Sequence, residues 1–140
     1  MIDKALILRK LSELEEYLKQ VKEFSNISIK DYQKDWKTQR IVERTLQMMV
    51  EIGVDIANHI IADKEYRVPK SYADTFRVLY EEGVLAEDIF KMMEDMAKFR
   101  NIVVHRYDKV DESIVIGILK RHLDDFLIYR DVIMGILNQI

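Results

Sequence analysis

The chain has 140 residues, of which 49% are hydrophobic and 34% charged, and its formal net charge is −3. This length fits one domain with a substantial core, which we expect to span residues 1–140. The absence of cysteine excludes disulfides and thiolate chemistry. The acidic balance argues against coating nucleic acid through bulk charge, and no DNA binding is expected. Without a signal-like leader or the ~20-residue apolar run of a membrane span, a cytoplasmic protein with no membrane partner is expected.

Apolar periodicity predicts helices through the first half of the chain. Residues 2–24 repeat Leu, Ile and Val at three- and four-residue steps, with Lys and Glu on the opposite face. This is typical of an amphipathic helix. Residues 31–63 hold the longest pattern, which can begin with a short separate turn over 31–36. Apolar residues cover most of its circumference, so we expect this segment to be the central helix of the domain.

A line of polar residues runs along this central helix at steps of four, three, four, four and three. Its members are Arg40, Arg44, Gln47, Glu51, Asp55 and Asn58. Two interpretations remain open: a stripe facing solvent, or one wall of a polar cleft that touches residues 100–107. His59 follows Asp55 by four residues and could share a metal with it. Because a bundle metal site needs a second such pair, we predict a surface or hydrogen-bonded histidine and no metal.

The second half of the chain carries clear helix start and stop signals. Ser71 predicts the N-cap of a helix over 72–82, whose inward face includes Tyr80, and Gly83 suits its end. A further helix is predicted from residue 86 to residue 100 or slightly beyond.

The last helix begins near Asp111 and keeps its period to the end of the chain. His122 falls within its apolar stripe, which predicts a core histidine rather than a ligand. The elements together predict an all-α bundle of four to five helices with up-down topology.

The segment 100–107 concentrates the chemistry. Arg100 and His105 are five residues apart, which separates them by about 140° around an ideal helix. They would meet only if the helix ends between them, or if a second copy of the chain supplies the missing partner. Asn101 lies one turn before His105 and could orient it. Arg106 and Lys109 make the segment locally basic, as expected for a phosphate site.

Such a segment could cleave RNA without a metal. Cleavage needs a base for the 2′-hydroxyl, an acid for the leaving oxygen and a cation on the transition state. One chain offers one suitable histidine, and a homodimer would offer two, with two copies of Arg100. The spacing alone also fits a plain basic helix end, in which Arg100 caps the C-terminus and His105 packs there. No glycine-rich phosphate loop is present, and no cofactor is expected.

Residues 99–107, Phe-Arg-Asn-Ile-Val-Val-His-Arg-Tyr, resemble the Arg-x4-His-x-Tyr signature of HepT-like toxins in the HEPN superfamily. Residues 51–61 resemble that family's central helix, and residues 68–76 its connector. The resemblance implies a HEPN-like, homodimeric helical bundle with the signature at the dimer interface. It also implies metal-independent RNA cleavage, with Arg100 and His105 as catalytic residues.

The resemblance further implies a type II or type VII-like toxin–antitoxin pair. The partner would be an MNT-type nucleotidyltransferase that modifies Tyr107 with AMP. Asn101 is then expected to orient His105, and Asp55 or Glu51 to hold Arg100. The residues expected to contact RNA are Arg106, Lys109, Arg40 and Arg44. The alternative is a non-catalytic helical dimer that serves as the binding subunit of a nucleotidyltransferase.

Overall fold

The computed structural model describes residues 1–139 and contains helices but no strand in that range. Within these residues, seven α-helices follow one another: α1 (Lys4–Val21), α2 (Ile29–Lys34), α3 (Trp36–Asp63), α4 (Tyr72–Glu81), α5 (Glu87–His105), α6 (Glu112–Gly117) and α7 (Asp125–Leu137). Short 3-10 turns lie at Lys22–Phe24 and Tyr107–Lys109. The all-α class is confirmed, whereas the predicted number of four to five helices was too low.

Two local features raise the number of helices. The first separates α2 from α3 at Asp35, whose φ of −119° and ψ of 89° are not helical. Its carboxylate accepts hydrogen bonds from the backbone N–H and the hydroxyl of Thr38, so it caps a new helix rather than continuing the old one. The second is a π-helical turn at Ile118–His122, which divides the last predicted helix into α6 and α7.

Side-chain caps set most of the other helix starts. Ser71 accepts a hydrogen bond from the Asp74 backbone N–H at 3.0 Å, as the sequence predicts, and Asp111 caps α6. Ser28 caps α2, since its hydroxyl accepts a hydrogen bond from the Asp31 backbone N–H at 3.1 Å. Gly83 follows α4 with a φ of 74°, a left-handed conformation that glycine adopts without strain.

Helix α3 lies at the centre and packs against α1, α2, α4 and α5. Among residues 1–139, no helix is both long and apolar enough to span a bilayer. His59 lies on the exposed surface of α3, as predicted. Apolar side chains cover most of the circumference of α3, but not all of them are buried, because Ile41 is 50% exposed.

Helices α4 and α5 run antiparallel. Tyr72 at the start of α4 contacts Arg100 near the end of α5, and Tyr80 at the end of α4 stacks on Phe90 near the start of α5. The predicted inward position of Tyr80 was wrong, because the residue is 36% exposed although its ring stacks on Phe90.

The buried hydroxyl of Tyr129 joins α7 to α3. It donates a hydrogen bond to the Gly53 carbonyl at 2.8 Å, and its ring meets Phe76 edge to face with 5.7 Å between centroids. A Cβ at Gly53 would lie 3.4 Å from Met93 and 3.7 Å from the Tyr129 ring. These are ordinary van der Waals distances, so the packing of α7 against α3 leaves room for a Cβ at this position.

The π turn also explains the position of His122, which was wrongly predicted to lie in the core. A π turn has an i→i+5 pattern, so residues that come after its start are rotated away from the phase of an α-helix. The His122 side chain is 51% exposed, and its Nδ1 lies 3.1 Å from Oδ2 of Asp125. Burial raises the pKa of the Asp125 carboxyl, and the bond to His122 partly offsets this.

Candidate functional site

Arg100 lies in the last turns of α5, on the side that faces α3 and α4, and its side chain is 14% exposed. Its Nε donates to Oε2 of Glu51 at 2.9 Å, and its NH2 lies 2.8 Å from the same oxygen. Its NH1 donates to Oδ1 of Asn101 at 3.3 Å. The guanidinium carbon lies 4.3 Å from the centroid of the Tyr72 ring, a cation–π distance. Three side chains from three helices therefore fix one guanidinium.

The carboxylate of Glu51 is itself oriented by a neighbour on α3. Gln47 donates from Nε2 to Oε2 at 3.0 Å, so Gln47 and Arg100 meet the same oxygen. Burial by itself would raise the pKa of Glu51, but the hydrogen bonds from Gln47 and Arg100 outweigh it and hold the pKa below its usual range. Glu51 therefore remains ionised when it holds Arg100.

This arrangement leaves one edge of the guanidinium without a carboxylate. Glu51 occupies the edge formed by Nε and NH2. Among residues 1–139, the edge formed by NH1 and NH2 carries only the long bond to Asn101. That second edge is the fork that binds a phosphate with two parallel N–H donors.

His105 is the last residue of α5 and is exposed. The helix continues without interruption from Arg100 to His105, so the two side chains leave it about 140° apart. The predicted possibility that the helix ends between them was wrong. The alternative in which Arg100 only caps the C-terminus of the helix was also wrong, since Arg100 binds Glu51 across the interface between α5 and α3.

The predicted hydrogen bond between Asn101 and His105 is not formed. Asn101 binds Arg100 instead, and among residues 1–139 the His105 side chain makes no hydrogen bond or ion pair. Its imidazole is thus accessible to a ligand or to a second chain.

Of the two carboxylates expected to hold Arg100, the structure brings only Glu51 to it. Asp55 lies one turn further along α3, is 55% exposed and has Oδ2 3.5 Å from Nζ of Lys10. The polar line on α3 therefore combines both interpretations, because Gln47 and Glu51 line the Arg100 site and Asp55 faces solvent.

The remaining predicted site residues lie on the surface. Tyr107 is 72% exposed and begins the 3-10 turn after α5. Arg106 and Lys109 flank it and are exposed. Arg40 and Arg44 are on the outer side of α3, and NH1 of Arg40 lies 3.9 Å from Glu43. In residues 1–139, no group of three potential metal-ligating side chains lies close together.

Tyr72 is the site residue that sequence reasoning missed. It directly follows the N-cap Ser71, and the apolar pattern of α4 gives no sign that its ring faces a cation. The only available signal is an aromatic side chain in the first turn of a helix that precedes the signature helix.

A family model described as ribonuclease HepT-like matches residues 14–133 of the chain. The mRNA nuclease HepT of Shewanella oneidensis is 28% identical, over 91% of this chain and 96% of that protein. The tRNA nuclease HepT of Aphanizomenon flos-aquae is 30% identical, over 91% of this chain and 87% of that protein. The structure of a tri-AMPylated Shewanella oneidensis HEPN toxin in complex with an MNT antitoxin superposes with a TM-score of 0.86 at 28% identity, covering 96% of this chain and 99% of that one.

Proposed function

The chain belongs to the HepT-like ribonuclease family, and we propose that it is the toxin of a toxin–antitoxin pair which cleaves RNA at a metal-independent Arg100–His105 site. Residues 1–140 would form one HepT-like HEPN domain. The names of its relatives, one an mRNA nuclease and one a tRNA nuclease, support an endoribonuclease and leave the class of RNA open.

The observation that carries the proposal is the one-sided anchoring of Arg100. Glu51 fixes one edge of the guanidinium, and the other edge is directed away from that carboxylate. A scissile phosphate would bind the free edge without displacing Glu51. The positive charge would then stabilise the additional negative charge of the phosphorane-like transition state.

His105 would move the protons. Imidazole exchanges protons near neutral pH, so it can accept a proton from the 2′-hydroxyl or donate one to the leaving 5′-oxygen. Its exposure and its lack of hydrogen bonds among residues 1–139 support this role. Cleavage in this scheme requires one base and one acid, which two copies of His105 would supply.

A homodimer would complete the site. Arg100 and His105 diverge on an unbroken helix, so one chain does not bring both to the same phosphate. A two-fold axis beside His105 would bring Arg100 of one protomer towards His105 of its partner. Asn101 is then a positioning residue for Arg100.

Surface cations and one tyrosine would connect the site to substrate and antitoxin. Arg106 and Lys109 next to His105, with Arg40 and Arg44 on α3, are cations suited to RNA phosphates. An MNT-type nucleotidyltransferase would attach AMP to Tyr107, whose exposure supports such access. The added phosphate would compete with the RNA backbone for the adjacent cations.

Expression of three chains tests the proposal: wild type, Arg100→Ala and His105→Ala. We expect the wild type to degrade RNA and slow growth, and both variants to lose these effects while they fold as dimers. Wild-type protein that cleaves no RNA, or variants that cleave as the wild type does, would overturn it. An inactive dimer that still binds a nucleotidyltransferase would instead support the role of a binding subunit.

A further inference from the structure

A groove of about 570 Å³ lies between α5, α6 and the π turn. Its floor is apolar and consists of Met92, Met96, Phe99, Ile102, Ile114 and Ile118. Ile114 is 49% exposed at its edge, so part of this apolar surface faces solvent. The Arg100 site does not use this surface.

The rim of the groove carries more positive than negative charge. Lys91, Lys98 and Arg121 line it, and Asp95 is the exposed carboxylate among them. Lys98 lies 3.6 Å from Glu94 but remains 63% exposed, so it stays accessible to a second anion. Because the whole chain carries a net charge of −3, this excess of cations is a local property of the groove.

Two side chains of the π turn present nitrogen atoms to the groove. A Cβ at Gly117 would lie 3.1 Å from the NH2 of Arg121, so glycine lets that guanidinium lie close to the helix backbone. His122 holds the buried carboxylate of Asp125 through Nδ1, which leaves Nε2 for a ligand.

The groove is continuous with the His105 surface of α5. Lys91, Lys98, Ile102 and His105 occur at steps of seven, four and three, which aligns them on one face of the helix. With a rise of 1.5 Å per residue, Lys91 lies about 21 Å from His105 along the axis. A polymer bound along this face would therefore reach His105.

We propose that this groove binds the single-stranded RNA segment adjacent to the cleaved bond, with unstacked bases on its apolar floor and phosphates on its cationic rim. The inference rests on the proposed ribonuclease function and names a subsite for that substrate. Apolar surface accepts bases only when they are splayed out of a duplex, so the groove favours single strands.

Binding of a fluorescent single-stranded RNA, in a His105→Ala background that prevents cleavage, tests this inference. We expect Lys91→Ala and Arg121→Ala each to weaken binding several-fold. Each should also make the slope of log K against log salt shallower by about 0.7, the value for one lost phosphate contact on a single strand. Ile114→Ser should weaken binding with an unchanged slope. Lys19→Ala, an exposed cation on α1, is the matched control and should bind as the background does.

Two outcomes would overturn the groove assignment and leave the nuclease intact. In the first, the wild type cleaves RNA while the Lys91, Arg121 and Ile114 variants keep the affinity and salt slope of the background. In the second, Ile114→Ser turns a dimer into a monomer and the salt slope of Arg121→Ala stays unchanged, which would identify the groove as a subunit interface. A wild-type chain that neither binds nor cleaves RNA would overturn the proposed function itself.

Discussion

Glu51 holds Arg100 by one edge of its guanidinium, with Nε and NH2 at 2.9 and 2.8 Å from a single carboxylate oxygen. The same oxygen accepts a hydrogen bond from Gln47. An arginine anchored in this way keeps its direction and its charge while the opposite edge remains available to an anion. Both the anchor and the free edge can be tested by substitution.

Removal of the Glu51 carboxylate should reduce activity although Arg100 itself remains. Glu51→Ala frees the guanidinium, and a hydrogen bond to a charged group contributes about 1.5–3 kcal/mol. We therefore expect kcat/KM for RNA cleavage to fall by about 10- to 100-fold. Asp55→Ala is the matched control, since it removes a carboxylate one turn along the same helix. Equal losses in both variants would show that the effect is not specific to the Arg100 contact.

The ring of Tyr72, and not its hydroxyl, should position Arg100. Cation–π contacts of this kind contribute about 0.5–2 kcal/mol, so Tyr72→Leu should lower kcat/KM by roughly 3- to 30-fold. Tyr72→Phe keeps the ring and should restore activity to near the wild-type value. Steady-state kinetics of the three proteins provide the comparison. If Tyr72→Phe were as impaired as Tyr72→Leu, the role of the ring would be refuted.

Mixed dimers should show that cleavage needs both copies of His105. A dimer of one wild-type and one His105→Ala protomer keeps both copies of Arg100 but has a single imidazole, so it lacks either the base or the acid. We expect it to have much less than half of the activity of the wild-type dimer. Separately tagged chains, purified in tandem, allow the measurement. Mixed dimers with half of the wild-type activity would show that one His105 is sufficient for each site.

Tyr107 should be the residue through which the antitoxin acts. Incubation with an MNT-type nucleotidyltransferase and ATP is expected to add AMP to the wild type and to suppress its RNA cleavage. Tyr107→Phe should keep its cleavage activity and remain unmodified by intact-mass measurement. Tyr80→Phe, another partly exposed tyrosine, serves as control. AMP found on Tyr107→Phe at wild-type levels would contradict this assignment.

The ion pair between Arg67 in the connector and Asp74 in α4 should make the free energy of unfolding depend on pH under acidic conditions. Asp74 accepts two hydrogen bonds from Arg67 at 2.8 Å and one from the Lys70 backbone N–H, and these lower its pKa from 3.8 to about 2. A depressed folded-state pKa stabilises the fold above the unfolded value, so this contribution is lost as pH falls from about 4 to about 2.

Arg67→Ala should flatten that pH dependence, because the protonation state of Asp74 then affects folding less. Chemical denaturation across this pH range gives the free energy of unfolding for both proteins. Arg9→Ala, which removes an exposed cation on α1, should keep the wild-type profile. The Arg67 side chain is 40% exposed, so solvent screens the pair and the expected effect is small. Parallel curves for the wild type and Arg67→Ala would contradict this account.

Periodicity predicted the helices well and their interruptions poorly. The caps Ser71 and Asp111 were readable because a hydroxyl or carboxylate before an apolar run has few other local uses. The π turn could not be predicted from the sequence, because the spacing of apolar residues stays nearly the same while the turn rotates the residues that follow it. His122 was misplaced for that reason.

The sequence predicted some of the residues around Arg100 but not which of them contact it. Glu51 and Asp55 are one turn apart on the same polar line, and the sequence cannot decide between them, because the choice depends on where α5 crosses α3. The Tyr72 contact with Arg100 depends in the same way on the antiparallel packing of α4 against α5.

The hydrogen bond from Tyr129 to the Gly53 carbonyl spans 76 residues of sequence and ends two positions from Glu51. Helix α7 is therefore bonded to the part of α3 that carries Glu51. A substitution in α7 that removes this hydrogen bond would let Glu51 shift and so change the orientation of Arg100. Loss of activity in such a variant would come from a displaced Arg100, with the residues of the site themselves unchanged.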